Sequence, residues 1–301
     1  MIRHLPHAAI DKQRWDEALG ACANRLWYAQ SWVLDRVSPG WEALLDEEQG
    51  AMMPLTRRRK WGIDYLFQPL GVQQLGVFAS RPDEGLEAAF LERMPSRFRY
   101  ADIQLNEAMG AGPFKGFTQH QRTNQVLSLG QPIAALRAAY SPNHRRNLRA
   151  ADHGLLTDTM PVSEFVALFR STTGARFGPG AVRGLEAFGE ALAEGVARGQ
   201  CEVVALSDGS ARIAAACFAT WGGRTILLKA ANTVAGQRAR AMFRIVDAWI
   251  AQHAGQPLLM DFAGSETPSV ARFNAGFGAQ PRVYLRLVRN RLPAPLRLIK
   301  R

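Results

Sequence analysis

Four stretches of this 301-residue chain hold residue types and spacings that can do chemistry. The run Ala231-Asn232-Thr233-Val234-Ala235-Gly236-Gln237-Arg238-Ala239-Arg240-Ala241 joins a strand-like segment to a long amphipathic pattern. Small residues let a backbone approach a ligand closely, and free N–H groups at a helix start hold phosphate or pyrophosphate. Arg238 and Arg240 add positive charge. Gly236, Gln237, Arg238, Ala239, Arg240 and Ala241 are therefore candidate cofactor-binding residues; an ordinary capped turn is the competing account. In Asp261-Phe262-Ala263-Gly264-Ser265-Glu266-Thr267-Pro268, the end of a buried strand meets a turn, where α/β folds place functional groups. There Asp261 or Glu266 is a candidate base, with Asp261 favoured by position, and Ser265 a candidate proton donor or oxyanion partner. The structural account has Ser265 or Thr267 capping the next helix and Asp261 bonded in the turn.

The third stretch, Ser141 to Ala151, is a basic helix with Ser141 as cap and Pro142 in its first turn. Arg145 and Arg149 are four apart on one face, with Arg146 beside them. The arginine fork suits carboxylate or phosphate, so these three are candidate contacts to an anionic substrate, with a solvated basic face as the alternative. The fourth, Arg57-Arg58-Arg59-Lys60, lies between two strands and reads as edge protection.

The elements that must position these groups occur twice in one order. In the second half, a strand at Leu155–Met160 precedes helices at Val162–Thr172 and Val182–Arg198. Strands follow at Cys201–Leu206, Arg212–Thr220 and Thr225–Ala230, joined by Ser-Asp-Gly-Ser and Gly-Gly turns. A helix at Arg238–His253 carries Met242, Ile245, Val246, Trp249 and Ile250 at helical spacing. A strand at Leu258–Phe262, a helix at Pro268–Asn274 and a strand at Val283–Val288 complete it. The first half runs similarly through helices at Lys12–Leu19 and Ala29–Arg36, strands at Trp41–Leu45, Ala51–Leu55 and Ile63–Gln68, a helix at Glu84–Met94 and strands at Tyr100–Leu105 and Asn124–Leu129. This order predicts an α/β (α+β) chain of two domains, 1–131 and 132–301, each a mixed central sheet flanked by helices, joined in the helical stretch Pro132–Asp152.

Composition narrows the function. Three cysteines and six histidines show no metal-ligand spacing, so no metal is expected. A reduced cytoplasmic setting fits, with no apolar run for a membrane span or leader. The net charge is +11, and Arg282–Arg301 alone supplies seven basic residues and no acid. Such a surface attracts nucleic acid, anionic lipid or phosphorylated ligands. In the tail, Pro293 and Pro295 are expected to prevent a regular helix. Its basic residues either hold the chain weakly at the inner membrane surface or stand in water on a packed tail. No nucleophile elbow, P-loop or cysteine–histidine pair is present.

With these motifs in place, the chain resembles the GNAT acyltransferase superfamily, in its Fem-like branch of double-GNAT proteins. "SPNHRRNLRAADHGL" is similar to the basic helix entering the second domain. "DFAGSETPSVARFNAGFGAQP" is similar to the late signature of an Asp-Phe-x-Gly turn followed by Arg-Phe and Gly-Phe-Gly. "QSWVLDRVSPGWEALL", "MMPLTRRRKWGIDYLFQPL" and "QQLGVFA" look like bacterial GNAT-like proteins. The resemblance implies tandem GNAT-like domains and an N-acyltransferase that moves an acyl or aminoacyl group to an amine on a small molecule or cell-envelope precursor. It implies acyl-CoA or acetyl-CoA held at Gly236–Ala241, although the only glycine stands early there. Some Fem-type enzymes instead use aminoacyl-tRNA and carry a lysine after the phenylalanine of the late motif. Here Phe273, a candidate substrate contact by this resemblance, is followed by Asn274. A non-catalytic GNAT-fold module for an anionic partner is the alternative.

Overall fold

The computed structural model describes residues 1–108, 110, 112–151, 156–176, 181–264 and 266–299. The chain opens with β1 (Arg3–Leu5), α1 (Lys12–Ala21), α2 (Ser31–Val37), β2 (Glu42–Asp46), β3 (Ala51–Leu55), β4 (Arg57–Lys60), β5 (Ile63–Leu66), β6 (Phe78–Ala79), α3 (Glu84–Glu92) and β7 (Tyr100–Gln104). It continues through β8 (Thr118–Ser128), α4 (Ile133–Ala138), α5 (Pro142–Ala150), β9 (Leu156–Thr159), α6 (Val162–Ser171) and α7 (Ala181–Ala197). Then come β10 (Cys201–Asp208), β11 (Ala211–Trp221), β12 (Arg224–Asn232), α8 (Val234–Arg238), α9 (Ala241–His253) and β13 (Leu259–Asp261). It closes with α10 (Pro268–Ala275), β14 (Gln280–Asn290) and α11 (Ala294–Ile299).

Two compact units result: Met1–Arg122 with the segment from Val283 onward, and Thr123–Arg282. The sequence reading sets a single join at 131/132; here the chain changes unit within β8 and again within β14. The cause is non-local pairing. Leu285 and Leu287 enter the core of the first unit with Phe90, Phe98 and Ile103. Between them Arg286 forks onto Asp102 of β7 at 2.7 and 2.6 Å.

In the first unit the strand orders are β1-β2-β3-β6 and β4-β5-β7-β14, with β5 and β7 parallel. Strand β4 is the basic run itself. Its four consecutive charges hide a strand from any alternation test, but it pairs residue for residue with β5. The tail also differs from expectation. Pro293 and Pro295 do not block a helix, because both stand where α11 begins and an absent N–H costs nothing.

In the second unit the order is β8-β13-β12-β11-β10-β9, antiparallel throughout except for β12 beside β13. Helix α9 covers the face bearing Val204, Leu206, Ala214, Ala216, Phe218 and Leu227. The alternate residues, Val203, Ala205, Ala215 and Cys217, are buried on the other face, where α6 and α7 lie against the strands. Among the described residues, no helix is long and apolar enough to cross a membrane.

Candidate functional site

The sheet of the second unit opens between β12 and β13. Strands β12 and β13 run parallel for only three pairs, Arg224↔Leu259, Thr225↔Met260 and Ile226↔Asp261. Beyond them β13 turns toward β8, where the Phe262 N–H donates to the Gln125 carbonyl at 3.0 Å. Strand β12 continues to Asn232 with β11 on its other side, so its edge past Ile226 has no strand beside it among the described residues. Just there β12 bulges: Leu227 opposes Phe218 and Lys229 opposes Cys217, which leaves Leu228 unmatched. A bulge re-aims the side chains that follow it. As a result Lys229 lies on the Cys217 face, toward α6 and α7.

Lys229 is partly buried, and desolvation pulls its pKa below the ordinary lysine value. Among the described residues no carboxylate lies within ion-pair distance of it. The neighbouring Ala230 carbonyl accepts from Thr173 Oγ1 at 3.2 Å, which brings the turn after α6 to the open edge. Sequence reasoning missed Lys229. The available signal was a single charge inside the apolar run Ile226–Ala231.

Asp261 shares this face one strand away and is fully buried. Its Oδ1 accepts from the Ala263 N–H at 2.7 Å, and its Oδ2 sits 3.5 Å from Arg224 Nε. The Ala263 and Gly264 backbones are left-handed, with φ of 52° and 45°. The carboxylate thus fastens the turn that ends β13. Ser265 lies outside the described residues.

In the stretch Gly236 to Ala241, most backbone donors are bonded within the loop. Helix α8 is five residues long and uses its own donors. Gly236 N–H donates to Thr233 Oγ1 at 3.1 Å. The Gln237, Ala239 and Arg240 N–H groups donate to the Thr233, Ala235 and Gln237 carbonyls at 2.9, 2.9 and 3.2 Å. Arg240 adopts φ 54° and turns its side chain to α5, with Nε 2.9 Å from Asn147 Oδ1. Arg238 and Gln237 are exposed, and Ala241 is buried. The N–H groups of Gly236, Gln237, Ala239 and Arg240 are thus engaged within the loop rather than offered to a pyrophosphate. Gly236 is small for a different reason: a Cβ there would lie 2.3 Å from both the Ile213 carbonyl and Asn232 Oδ1. Gly236→Ala should cost about 2–3 kcal/mol through this clash, measured by urea denaturation. A variant as stable as the parent would show that the loop relaxes freely.

The basic helix is held from within. Arg145 Nη1 donates to the carbonyls of Ala138 and Tyr140, and Arg146 to Asn143 Oδ1 at 2.9 Å. Arg149 is exposed. Beneath them His144 is buried, with Nδ1 3.0 Å from Ser141 Oγ and Nε2 2.8 Å from the Phe273 carbonyl. Phe243, Phe273 and Phe277 surround the ring. Phe273 thus packs as a wall of this cluster. Asn274, also buried, donates to Gln125 Oε1 at 3.1 Å. The structure brings Asp261, Lys229 and Thr173 to one face of the sheet and ties Phe273 to the arginine helix. It bonds the N–H groups of Gly236, Gln237, Ala239 and Arg240 within their own loop and leaves Gln237 and Arg238 exposed.

No family model matches the chain, and no curated protein matches it in sequence. Solved structures do. The crystal structure of FemX aligns with a TM-score of 0.62 at 11% identity over 96% of this chain and 98% of that one. A conserved protein of Bacteroides thetaiotaomicron aligns at 0.59 and 10% identity over 93% and 97%. A tandem GNAT protein of the clavulanic acid biosynthesis pathway aligns at 0.55 and 13% identity over 98% and 100%. The fold is thus a tandem GNAT fold of the Fem-like kind, as the late signature and the repeated element order imply.

Proposed function

We propose that the chain is an acyltransferase that moves an activated acyl or aminoacyl group onto an amine, with the chemistry at the open edge of β12. The observation that carries this reading is the early parting of β12 from β13 with a bulge and a partly buried lysine at the gap. Backbone N–H groups freed by such a gap can hold the oxyanion of a tetrahedral intermediate. The amine nitrogen attacks the acyl carbonyl, the ester or thioester leaving group departs with the bonding pair, and the nitrogen loses a proton. Lys229 is assigned as the acceptor of that proton, because desolvation favours its neutral form. Asp261 is assigned as a positioning residue for the β13 turn. The acceptor, an amine on a small molecule or envelope precursor, follows from the Fem-like resemblance alone.

The donor is an ester or thioester not gripped by the loop before α9. Acetyl-CoA should accordingly leave the melting temperature unmoved, whereas a loop-dependent rise abolished by Arg238→Glu would overturn this part of the reading. The function itself is tested by mass spectrometry of an amine panel incubated with aminoacyl-tRNA or acetyl-CoA. Acylated product from either supports it, and none from both retires it. In that event the largely self-bonded loop favours a GNAT-fold module that binds an anionic partner without catalysis.

A further inference from the structure

The tip of the β4–β5 hairpin, in the first unit, is built against its own stability. Trp61 and Gly62 occupy the turn with φ of 51° and 75°. Both central positions of such a turn are left-handed, which favours Asn, Asp or Gly and penalises a bulky side chain. Trp61 is nevertheless 75% exposed, so little buried area compensates its backbone. Charge gathers around it. Lys60 Nζ stands 4.5 Å above the indole, and Arg58 lies 4.1 Å over the Phe67 ring. Arg57 is neutralised by Glu42 and Asp64. By contrast, no carboxylate lies within ion-pair distance of Arg58, Arg59 or Lys60 among the described residues.

Below the tip is a cavity of about 210 Å³ lined by Lys60, Trp61, Ile63, Tyr65, Tyr100, Leu292 and Leu296. The last two come from the tail, so the basic C-terminal segment returns to the same place. Arg291 and Arg297 flank these leucines and are exposed. Arg289, in contrast, is 6% exposed and stacks on Phe117, so it adds nothing to the surface charge. A projecting indole, an apolar recess and a ring of uncompensated cations match an anionic bilayer. The indole sits at the headgroup level, the recess meets acyl chains and the cations meet phosphates.

We propose that the β4–β5 tip and α11 dock the protein on an anionic phospholipid membrane, through Trp61 and the cations Arg58, Arg59 and Lys60. This surface is independent of the transfer chemistry assigned to the second unit. Each cation near an anionic surface contributes about fivefold to binding, so reversing three should abolish it.

The test is co-sedimentation of the full chain with phosphatidylcholine vesicles, with and without phosphatidylglycerol, at low and high salt. The parent should bind only the anionic vesicles, and salt should weaken this by screening. Arg58→Glu/Arg59→Glu/Lys60→Glu should not bind. Trp61→Asn is decisive, since Asn-Gly is the preferred sequence for this turn. It should melt no lower than the parent yet bind at least tenfold more weakly. A lower melting temperature with unchanged vesicle binding would make the indole structural and overturn the proposal. So would parental binding by the triple variant, equal binding to neutral vesicles, or saturation by monomeric decanoate without any vesicle binding. A Trp61-dependent dimer in sedimentation velocity would also overturn it, by assigning the surface to a second copy.

Discussion

Replacing Gly276 by alanine should unfold the second unit or cost it about 3–5 kcal/mol. The backbone there is ordinary, with φ −66°, so conformational freedom is not what requires glycine. An added Cβ would lie 1.9 Å from His144 Cε1, 2.2 Å from Nδ1 and 2.5 Å from Nε2. The ring cannot step aside, because Ser141 and the Phe273 carbonyl hold its two nitrogens and three phenylalanines enclose it. The backbone of Gly276 is held as well, since its carbonyl accepts from the Ser141 N–H at 2.9 Å. Something must break, and each candidate is a buried hydrogen bond or close packing. Against a typical total stability of about 5–15 kcal/mol, that loss is severe.

A double-mutant cycle identifies the cause. His144→Ala opens the space that the new methyl needs, so the double variant should be more stable than the two single losses predict, by at least about 1 kcal/mol. Additive losses would show that the clash is not with this ring. The same ring gives a pH signature. Burial pushes the His144 pKa down, against the opposing pull of the Phe273 carbonyl. Between the lowered folded value and the ordinary one, the unfolded chain binds more protons, so stability rises with pH and falls on acidification through that window. His144→Ala should flatten this dependence.

What the sequence discloses and what it withholds divide along the range of the interactions. Met242, Ile245, Val246, Trp249 and Ile250 are all buried against one sheet face, which is why spacing alone finds α9. The Gly222-Gly223 and Asp208-Gly209 hairpins are equally local. Long-range pairing is not legible in this way. Nothing in Val283–Val288 reveals that Leu285 and Leu287 belong with Phe90 and Phe98. The His144–Gly276 contact joins two motifs that each read as separate candidates for chemistry. The loop before α9 shows a further limit. Its glycine and arginines have the composition of an anion cradle, yet Thr233 and the backbone take the N–H groups of Gly236, Gln237, Ala239 and Arg240. Composition cannot tell a donor offered to a ligand from one already bonded. The lone charge at Lys229 was visible, but its meaning depends on a bulge that only the pairing of Cys217 and Phe218 defines.

Lys229→Met should reduce acyl transfer by about 10²–10⁴-fold, the usual contribution of a positioned proton acceptor, while leaving the fold intact or more stable. The two effects have one origin. A partly buried ammonium without a carboxylate beside it is costly, and methionine fills similar space without charge. The sign of the pH dependence follows. The folded pKa of Lys229 is lowered chiefly by desolvation, with Cys217 opposing weakly. Between that value and the ordinary 10.5, the unfolded chain holds the extra proton, so the parent gains stability as pH rises. Lys229→Met should lack that gain and should exceed the parent most at lower pH. Thermal melts across the pH range measure this without any substrate. Arginine separates the two roles a lysine can play here, because a guanidinium keeps its charge and cannot accept a proton. If Lys229 only attracts an anionic group, Lys229→Arg retains most of the rate. If it takes the proton from the attacking amine, Lys229→Arg is as impaired as Lys229→Met, and the acid limb of the parent pH–rate profile disappears in both. Full activity in Lys229→Arg would therefore remove Lys229 from proton transfer, while leaving the open edge of β12 as the place where the acyl group is held.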